Sequence, residues 1–408
     1  MTKLRSYVSR AAMMAPLVLL TATGWTQPAQ PAAGRGQGGG RGPAIVSPEV
    51  LPDARVVFRI AAPRAESVTL NGGDIPGLGG QGGTPAQFVK KENGIWEATV
   101  GPVTPGAFRY VYQVDGVRTL DPVNPRVSES NANCWSLFFV PGLEFMETRD
   151  VPHGAVASVY YQSAVLKTTR RMHIYTPPGY EVGQQKYPVF YLLHGASDSD
   201  DSWTSVGRAG FILDNLIAAG KAKPMIVVMT AGHQPAIAAG APPAPAAADQ
   251  PPPFTREFVT DVMPYVEKHY RTIADRSHRA IAGLSMGGSQ TLDIAFRNLK
   301  DFAYIGVFSS GASLGGGRGP TAGAAPQPPR PDWEAVHKTD LDNAALKKGT
   351  KRVWLSTGLD DGLIANSRTT TELLKKHGFN AVFKESPGGH TWLNWRNYLS
   401  EFAPQLFQ

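Results

Sequence analysis

His278-Arg-Ala-Ile-Ala-Gly-Leu-Ser-Met-Gly-Gly288 is an apolar run that stops at a serine set between glycines. Its core, Gly283-Leu-Ser-Met-Gly287, fits the pattern G-x-S-x-G. The pattern describes a sharp strand-to-helix turn in which small residues two before and two after the serine let strand and helix pass close together. Ser285 would then stand exposed at the end of a strand. The backbone N–H of Met286 would lie at a helix N-terminus, where it can donate to an oxyanion. With 44 glycines in 408 residues the pentapeptide also arises by chance as an ordinary glycine-rich turn, so its surroundings must carry the reading.

A serine hydroxyl is a weak nucleophile at neutral pH and needs a base in hydrogen-bond reach, oriented in turn by an acid. In α/β hydrolases these follow in the chain order Ser, acid, His. After the apolar run 353–356 comes Thr357-Gly-Leu-Asp-Asp-Gly362, which puts Asp360 and Asp361 in the loop leaving a strand. Spacing alone does not choose between them. After the run 381–384 comes Ser386-Pro-Gly-Gly-His-Thr-Trp392, which puts His390 just before the last helix. His377 follows the acids too, but it ends a helical stretch and reads as a cap on the helix dipole. A second oxyanion donor is expected from Tyr191-Leu-Leu-His-Gly-Ala-Ser197, as the N–H of Ala196 or Ser197. His194, Trp203 and Trp392 are expected to contact substrate. Asp198, Asp200 and Asp201 lack the Gly and bracketing Glu of a calcium loop and read as solvated or capping residues.

Outward from this centre, 188–193, 225–229, 279–282, 303–308, 353–356 and 381–384 read as strands, and 211–219, 255–270, 285–298, 366–377 and 393–402 as helices. The alternation predicts an α/β fold, a mostly parallel sheet covered by helices, spanning 151–408. The runs 158–162 and 171–175 add an antiparallel edge. Low-complexity tracts rich in Ala, Gly and Pro interrupt it at 236–253 and 312–331, each following a strand and so emerging at the carboxyl edge where ligands bind. Ahead of it, short alternating runs at 55–60, 67–70, 94–100 and 107–114 predict an all-β sandwich over 45–150.

The chain opens with Lys3, Arg5 and Arg10 and an apolar run, 11–23, too short to span a bilayer comfortably. Residues 1–26 read as a signal peptide, with Gly24 as one cleavage point and Gln27 or Ala29 as competitors; 27–44 is a low-complexity leader. A periplasmic or secreted protein is expected, with no membrane association after cleavage. The single cysteine, Cys134, excludes an internal disulfide and reads as a buried structural residue. The three basic residues of the signal account for part of the net charge of +7 and leave +4. Basic residues are scattered, and nucleic acid is not an expected partner.

These pieces together resemble the putative-esterase family typified by esterase D, and within it the feruloyl and acetylxylan esterases of carbohydrate esterase family 1. The likeness rests on Ile174-Tyr-Thr-Pro-Pro-Gly-Tyr180, Tyr187-Pro-Val-Phe-Tyr-Leu-Leu-His-Gly195 with Trp203, the stretch 258–270, Gly283-Leu-Ser-Met-Gly-Gly288, Gly358-Leu-Asp-Asp361 and Gly388-Gly-His-Thr-Trp392. It implies an α/β-hydrolase fold and acyl-enzyme chemistry on Ser285, His390 and an acid, with no metal or cofactor. The family's acid aligns with Asp361. Ser197 stands where many members carry glycine, which leaves Ala196 and Ser197 both open as donors. The front sandwich resembles the early-set, family 48-type carbohydrate-binding modules through Arg55-Val-Val-Phe-Arg59, Asn93-Gly-Ile-Trp96, the stretch 108–116 and Asp121-Pro-Val-Asn-Pro125.

The resemblance implies an ester-bearing small-molecule or oligosaccharide substrate and a polysaccharide contact through the front domain. On the residues alone, Phe108, Tyr110 and Tyr112 read as core rather than a sugar platform, and Trp96 as either. Three rivals share the scaffold: a siderophore-trilactone esterase, an acyltransferase to a sugar, and a non-catalytic glycan-binding protein.

Overall fold

The computed structural model describes residues 45–78, 83–234, 250–312 and 332–408. The expected signal peptide and leader, and most of both low-complexity tracts, lie outside the described residues. Among the described residues no helix is long and apolar enough to cross a membrane. Residues Ile45–Gln408 form one compact unit.

The alternating runs of the front part become two facing antiparallel sheets. One has the order Glu49–Val50, Val56–Ala61, Ile95–Val100, Val89–Lys90; the other runs Ala86–Gln87, Val68–Gly72, Gly106–Val114, Cys134–Val140, Val127–Glu129, with Val117–Thr119 added to Gly106–Val114. Period two puts Phe108, Tyr110 and Tyr112 on one face of their strand, and all three are fully buried between the sheets with Phe58 and Phe138. Trp96 joins this core and donates its Nε1–H to the Ala62 carbonyl at 2.9 Å. At the alternate positions Ala107, Arg109 and Val111 are buried as well. Ala107, with Leu137 from the neighbouring strand, enters the core of the α/β part, so this sheet is covered on both faces.

Cys134 departs from expectation: it is exposed. It shares its strand face with the buried Ser136 and Phe138, but it opens the strand and lies beyond the end of the core that covers them.

The α/β part is built on an eight-stranded sheet in the order Ala155–Ser163, Thr168–Thr176, Ile226–Thr230, Val189–Leu193, Arg279–Leu284, Tyr304–Phe308, Arg352–Gly358, Ala381–Ser386. The first two strands are an antiparallel edge, and the strands from Ile226–Thr230 onward pair in parallel. Strands covered by helices on both faces should be apolar throughout, and the inner strands Val189–Leu193 and Tyr304–Phe308 are. On Val189–Leu193, the side chains of Val189, Tyr191 and Leu193 enter one apolar cluster and those of Phe190 and Leu192 the other.

The chain reaches Val189–Leu193 before Ile226–Thr230, then crosses back to lay Arg279–Leu284 on its other side. Ligands bind at such a reversal, outside the carboxyl ends of the strands. Two short helices, Trp333–Leu341 and Ala344–Gly349, escape the sequence reading. The margins of the low-complexity tracts are built into the fold: Pro253 opens the helix Pro253–Glu257, and the buried Ala312 donates its N–H to Thr370 Oγ1 at 2.8 Å.

Candidate active site

Ser285 joins the strand Arg279–Leu284 to the helix Met286–Arg297 with φ 52° and ψ −116°. A positive φ on a residue bearing a Cβ is strained, and such strain persists only where the surroundings over-determine it. Here the Ser285 N–H donates to the Phe308 carbonyl at 2.9 Å, and its own carbonyl accepts from the Gly288 N–H at 3.0 Å. The flanking glycines are needed for space. A Cβ on Gly283 would lie 2.3 Å from the Gly287 carbonyl oxygen, and one on Gly287 would lie 2.5 Å from that of His194.

His390 arrives from the far side of the sheet, in the loop between Ala381–Ser386 and the helix Trp392–Phe402. Its Nε2 is 3.0 Å from Ser285 Oγ, and its Nδ1 is 2.9 Å from Asp361 Oδ2. A carboxylate only accepts, so Nδ1 carries the proton and Nε2 is left to accept from the serine hydroxyl. Asp361 is buried, and its other oxygen accepts the Leu363 N–H at 2.9 Å. Burial pushes the Asp361 carboxyl up, but the bonds from His390, the Leu363 N–H and Ser309 outweigh it and hold the group below the ordinary carboxylate range. Asp360 is exposed and meets the His390 loop only through its backbone, N–H to Gly388 carbonyl at 3.0 Å. The structure therefore brings Ser285, His390 and Asp361 together and leaves Asp360 out.

The turn after Val189–Leu193 passes beside the serine: a Cβ on Gly195 would sit 3.5 Å from that of Ser285. The Gly195 carbonyl accepts from the Asp198 N–H at 3.1 Å and from His194 Nδ1 at 2.8 Å. Across a trans peptide the Ala196 N–H points the opposite way. Among the described residues, the N–H groups of Ala196 and Ser197 donate to nothing. Met286 opens its helix, so its N–H has no partner one turn back.

Two expectations need correction. His194, Trp203 and Trp392 are each about 1 % exposed, and so they support the site rather than contact a substrate. His194 Nε2 accepts the Gly232 N–H at 2.8 Å, and burial lowers its pKa, which keeps the ring neutral for that role. Trp203 donates to the Leu193 carbonyl at 3.1 Å and meets Trp392 edge-on at 5.0 Å. A large ring in a loop beneath a site fills the volume under it.

The acidic loop is not solvated either: Asp198 and Asp200 are buried in ion pairs with Arg109 and Arg171. His377 stands at the C-cap of Ile364–Lys376, where its backbone N–H donates to the Leu373 carbonyl at 3.1 Å, while its ring turns to Glu334 and Asp342 rather than to its own helix.

Sequence reasoning missed Ser309, Trp395 and Asn394. Ser309, fully buried with φ 50°, accepts from Trp395 Nε1 at 2.9 Å and faces Asp361. The Trp395 ring stands edge-on to His390 at 5.0 Å. Asn394 Nδ2 braces the histidine loop by donating to the Pro387 carbonyl at 2.9 Å. A serine after an apolar strand and polar or aromatic residues in a helix are common, and no spacing links them to a distant histidine.

The sheet order and the serine at the turn after its central parallel strand define an α/β-hydrolase fold, preceded by an all-β sandwich. Residues 163–406 match the family model described as "Putative esterase", and the chain belongs to this esterase family. It is 31% identical over 370 residues to the endo-1,4-beta-xylanase/feruloyl esterase of Xylanibacter ruminicola, a match covering 88% of this chain and 46% of that protein. The chain spans about half, or less, of the length of the curated relatives it matches first. Among solved structures, a ferulic acid esterase superposes with TM-score 0.51 at 26% identity over 63% of this chain and 98% of its own. The enterobactin esterase of Shigella flexneri superposes with TM-score 0.57 at 17% identity over 87% of this chain and 93% of its own, a likeness of fold.

Proposed function

We propose that the chain is an exported serine carboxylesterase that removes feruloyl or acetyl groups from fragments of plant xylan. The observation that carries the reading is the line Asp361, His390, Ser285, with contacts of 2.9 and 3.0 Å at the carboxyl end of the central strands. The likeness to the feruloyl esterases supports the choice of acyl group.

In this reading Ser285 Oγ attacks the ester carbonyl carbon as His390 Nε2 takes its proton. The carbonyl oxygen becomes an oxyanion held by the N–H of Met286 and that of Ala196 or Ser197. Asp361 holds the imidazole in the required tautomer and stabilises the imidazolium. His390 then gives the proton to the departing sugar alcohol as the carbon–oxygen bond breaks, leaving an acyl-serine. Water, activated by His390 in the same way, releases the acid and restores Ser285. The apolar burial of Phe108, Tyr110, Tyr112 and Trp96 leaves none of them as a sugar platform, so a glycan contact by the front sandwich would need other residues.

A hydrolysis panel tests the reading: methyl ferulate, feruloylated and acetylated xylo-oligosaccharides and a siderophore trilactone, each with the native protein and Ser285→Ala. Turnover of the ferulate or xylan esters should vanish in the variant, together with covalent labelling of Ser285 by a fluorophosphonate. Turnover or labelling that persists in Ser285→Ala would overturn the mechanism, and turnover confined to the trilactone would overturn the substrate class.

A further inference from the structure

Residues 194–208, between Val189–Leu193 and the helix Ala209–Ala218, contain neither helix nor strand. A segment of that length built of turns does not fix its own place, and this one carries the turn beside Ser285. Part of its support comes from the α/β part: His194 bonds to Gly232, His233 Nε2 to the Asp198 carbonyl at 3.1 Å, and Arg171 and His173 to Asp200.

The rest comes from the front sandwich. Arg109, on the outer face of Gly106–Val114, donates from Nη1 to Asp198 Oδ1 at 2.8 Å, while Nε and Nη2 grip Asp74 at 2.6 and 2.9 Å. The three side chains are 8, 2 and 10 % exposed respectively, so the Asp74–Arg109–Asp198 chain is shielded from solvent. Beyond it the Asn131 N–H donates to the Ser197 carbonyl at 3.2 Å. The Glu129 N–H donates to Asp201 Oδ2 at 2.9 Å, and Ser202 Oγ donates back to the Glu129 carbonyl at 3.1 Å.

The order of these contacts matters for the chemistry. Asp198 closes the turn through its N–H on Gly195, so the place of Asp198 sets the directions of the two peptide groups between them. Those groups are the Ala196 and Ser197 N–H. A buried carboxylate bonded to a guanidinium that is itself clamped on a second carboxylate has one position, because charge-assisted bonds at these distances are directional.

We propose that Arg109 is a positioning residue for the oxyanion turn: through Asp74–Arg109–Asp198 the front sandwich sets where the Ala196 and Ser197 N–H groups point. The sandwich is thereby a working part of the esterase site rather than an appended binding module. The proposal rests on the serine-esterase reading above.

The test is Arg109→Lys in the full chain, compared with Arg59→Met. Lysine keeps the charge but not the fork that reaches both carboxylates. Arg59→Met breaks a pair with Glu49 and Glu97 wholly inside the sandwich and disturbs it without touching the turn. Steady-state rates are read on an aryl ester and on its thionoester, whose sulfur gains little from oxyanion donors.

Arg109→Lys should lower kcat on the oxygen ester by roughly ten- to a hundredfold, the scale of a misplaced or lost donor, with KM within about twofold. The thionoester rate should fall less, so that the preference for oxygen narrows; Arg59→Met should keep both kcat and the preference. Equal kcat and equal preference in Arg109→Lys, or the same losses in Arg59→Met, would overturn the proposal. If Arg109→Lys is recovered unfolded, Asp198→Asn, which keeps the side chain's shape, carries the same expectation and the same refutation. An inactive Ser285→Ala beside an unimpaired Arg109→Lys rejects this proposal alone, whereas an active Ser285→Ala rejects the reading beneath it.

Discussion

Asp360 and Asp361 are chain neighbours with opposite fates, one exposed and one buried against His390. Because the folded pKa of Asp361 is depressed, its contribution to stability is complete above the unfolded carboxylate value, about 3.9, and is lost as pH falls through the lower folded value. Asp361→Asn cannot titrate, and it turns the His390 tautomer around. Its kcat should fall by about 10⁴-fold, as the same exchange does in serine proteases, and its stability should decline less steeply below about pH 4. Asp360→Asn should match the native protein within about twofold. Initial rates and urea midpoints between pH 3 and 7 check both. The choice between the two acids was open to a spacing argument and closed only by resemblance, since a loop of consecutive aspartates does not state which carbonyl turns which side chain inward. The tryptophans were misread for a related reason: proximity in sequence to a site does not distinguish its lining from its floor.

At the scale of elements, the turn at Ser285 depends on how near the helix Met286–Arg297 comes to the end of Val189–Leu193. A methyl group on Gly287 would meet the backbone oxygens of His194 and Leu193 at 2.5 and 2.7 Å, and backbone does not yield as a side-chain tip does. Gly287→Ala should therefore cost about 1–3 kcal/mol, as overpacking does, and should also displace Ser285. Gly362→Ala, at a site with nothing within 4 Å, should leave stability within about 0.5 kcal/mol. Urea unfolding of the two variants separates them. The strands were legible because double coverage demands unbroken apolar runs; the helix start was read one residue early, at Ser285, because the pattern does not show the positive φ that delays it. Trp333–Leu341 and Ala344–Gly349 are short and rich in charge, so neither offered a long apolar stripe.

For the whole molecule, the sequence divides cleanly at about residue 150 into a sandwich rhythm and an α/β rhythm, and the sheets follow that division. What it conceals is the junction. One hint was available in Gly106–Val114, whose first seven residues are apolar on both faces apart from Arg109, a pattern that demands cover on both sides there. Which surface supplies that cover depends on residues far away in the chain. Leu137, Met146 and Ala107 pack in one cluster with Phe190, Leu192, Trp203 and Trp392, and Arg396 from the last helix donates to the carbonyls of Ala107 and Val206 at 3.2 and 2.8 Å.

That shared cluster has a thermal consequence. A module joined by a linker melts on its own, but a sheet whose outer face is another sheet's core cannot open without exposing both. Scanning calorimetry of the full chain should record one endotherm, with equal calorimetric and van't Hoff enthalpies, and no separate early peak for the sandwich.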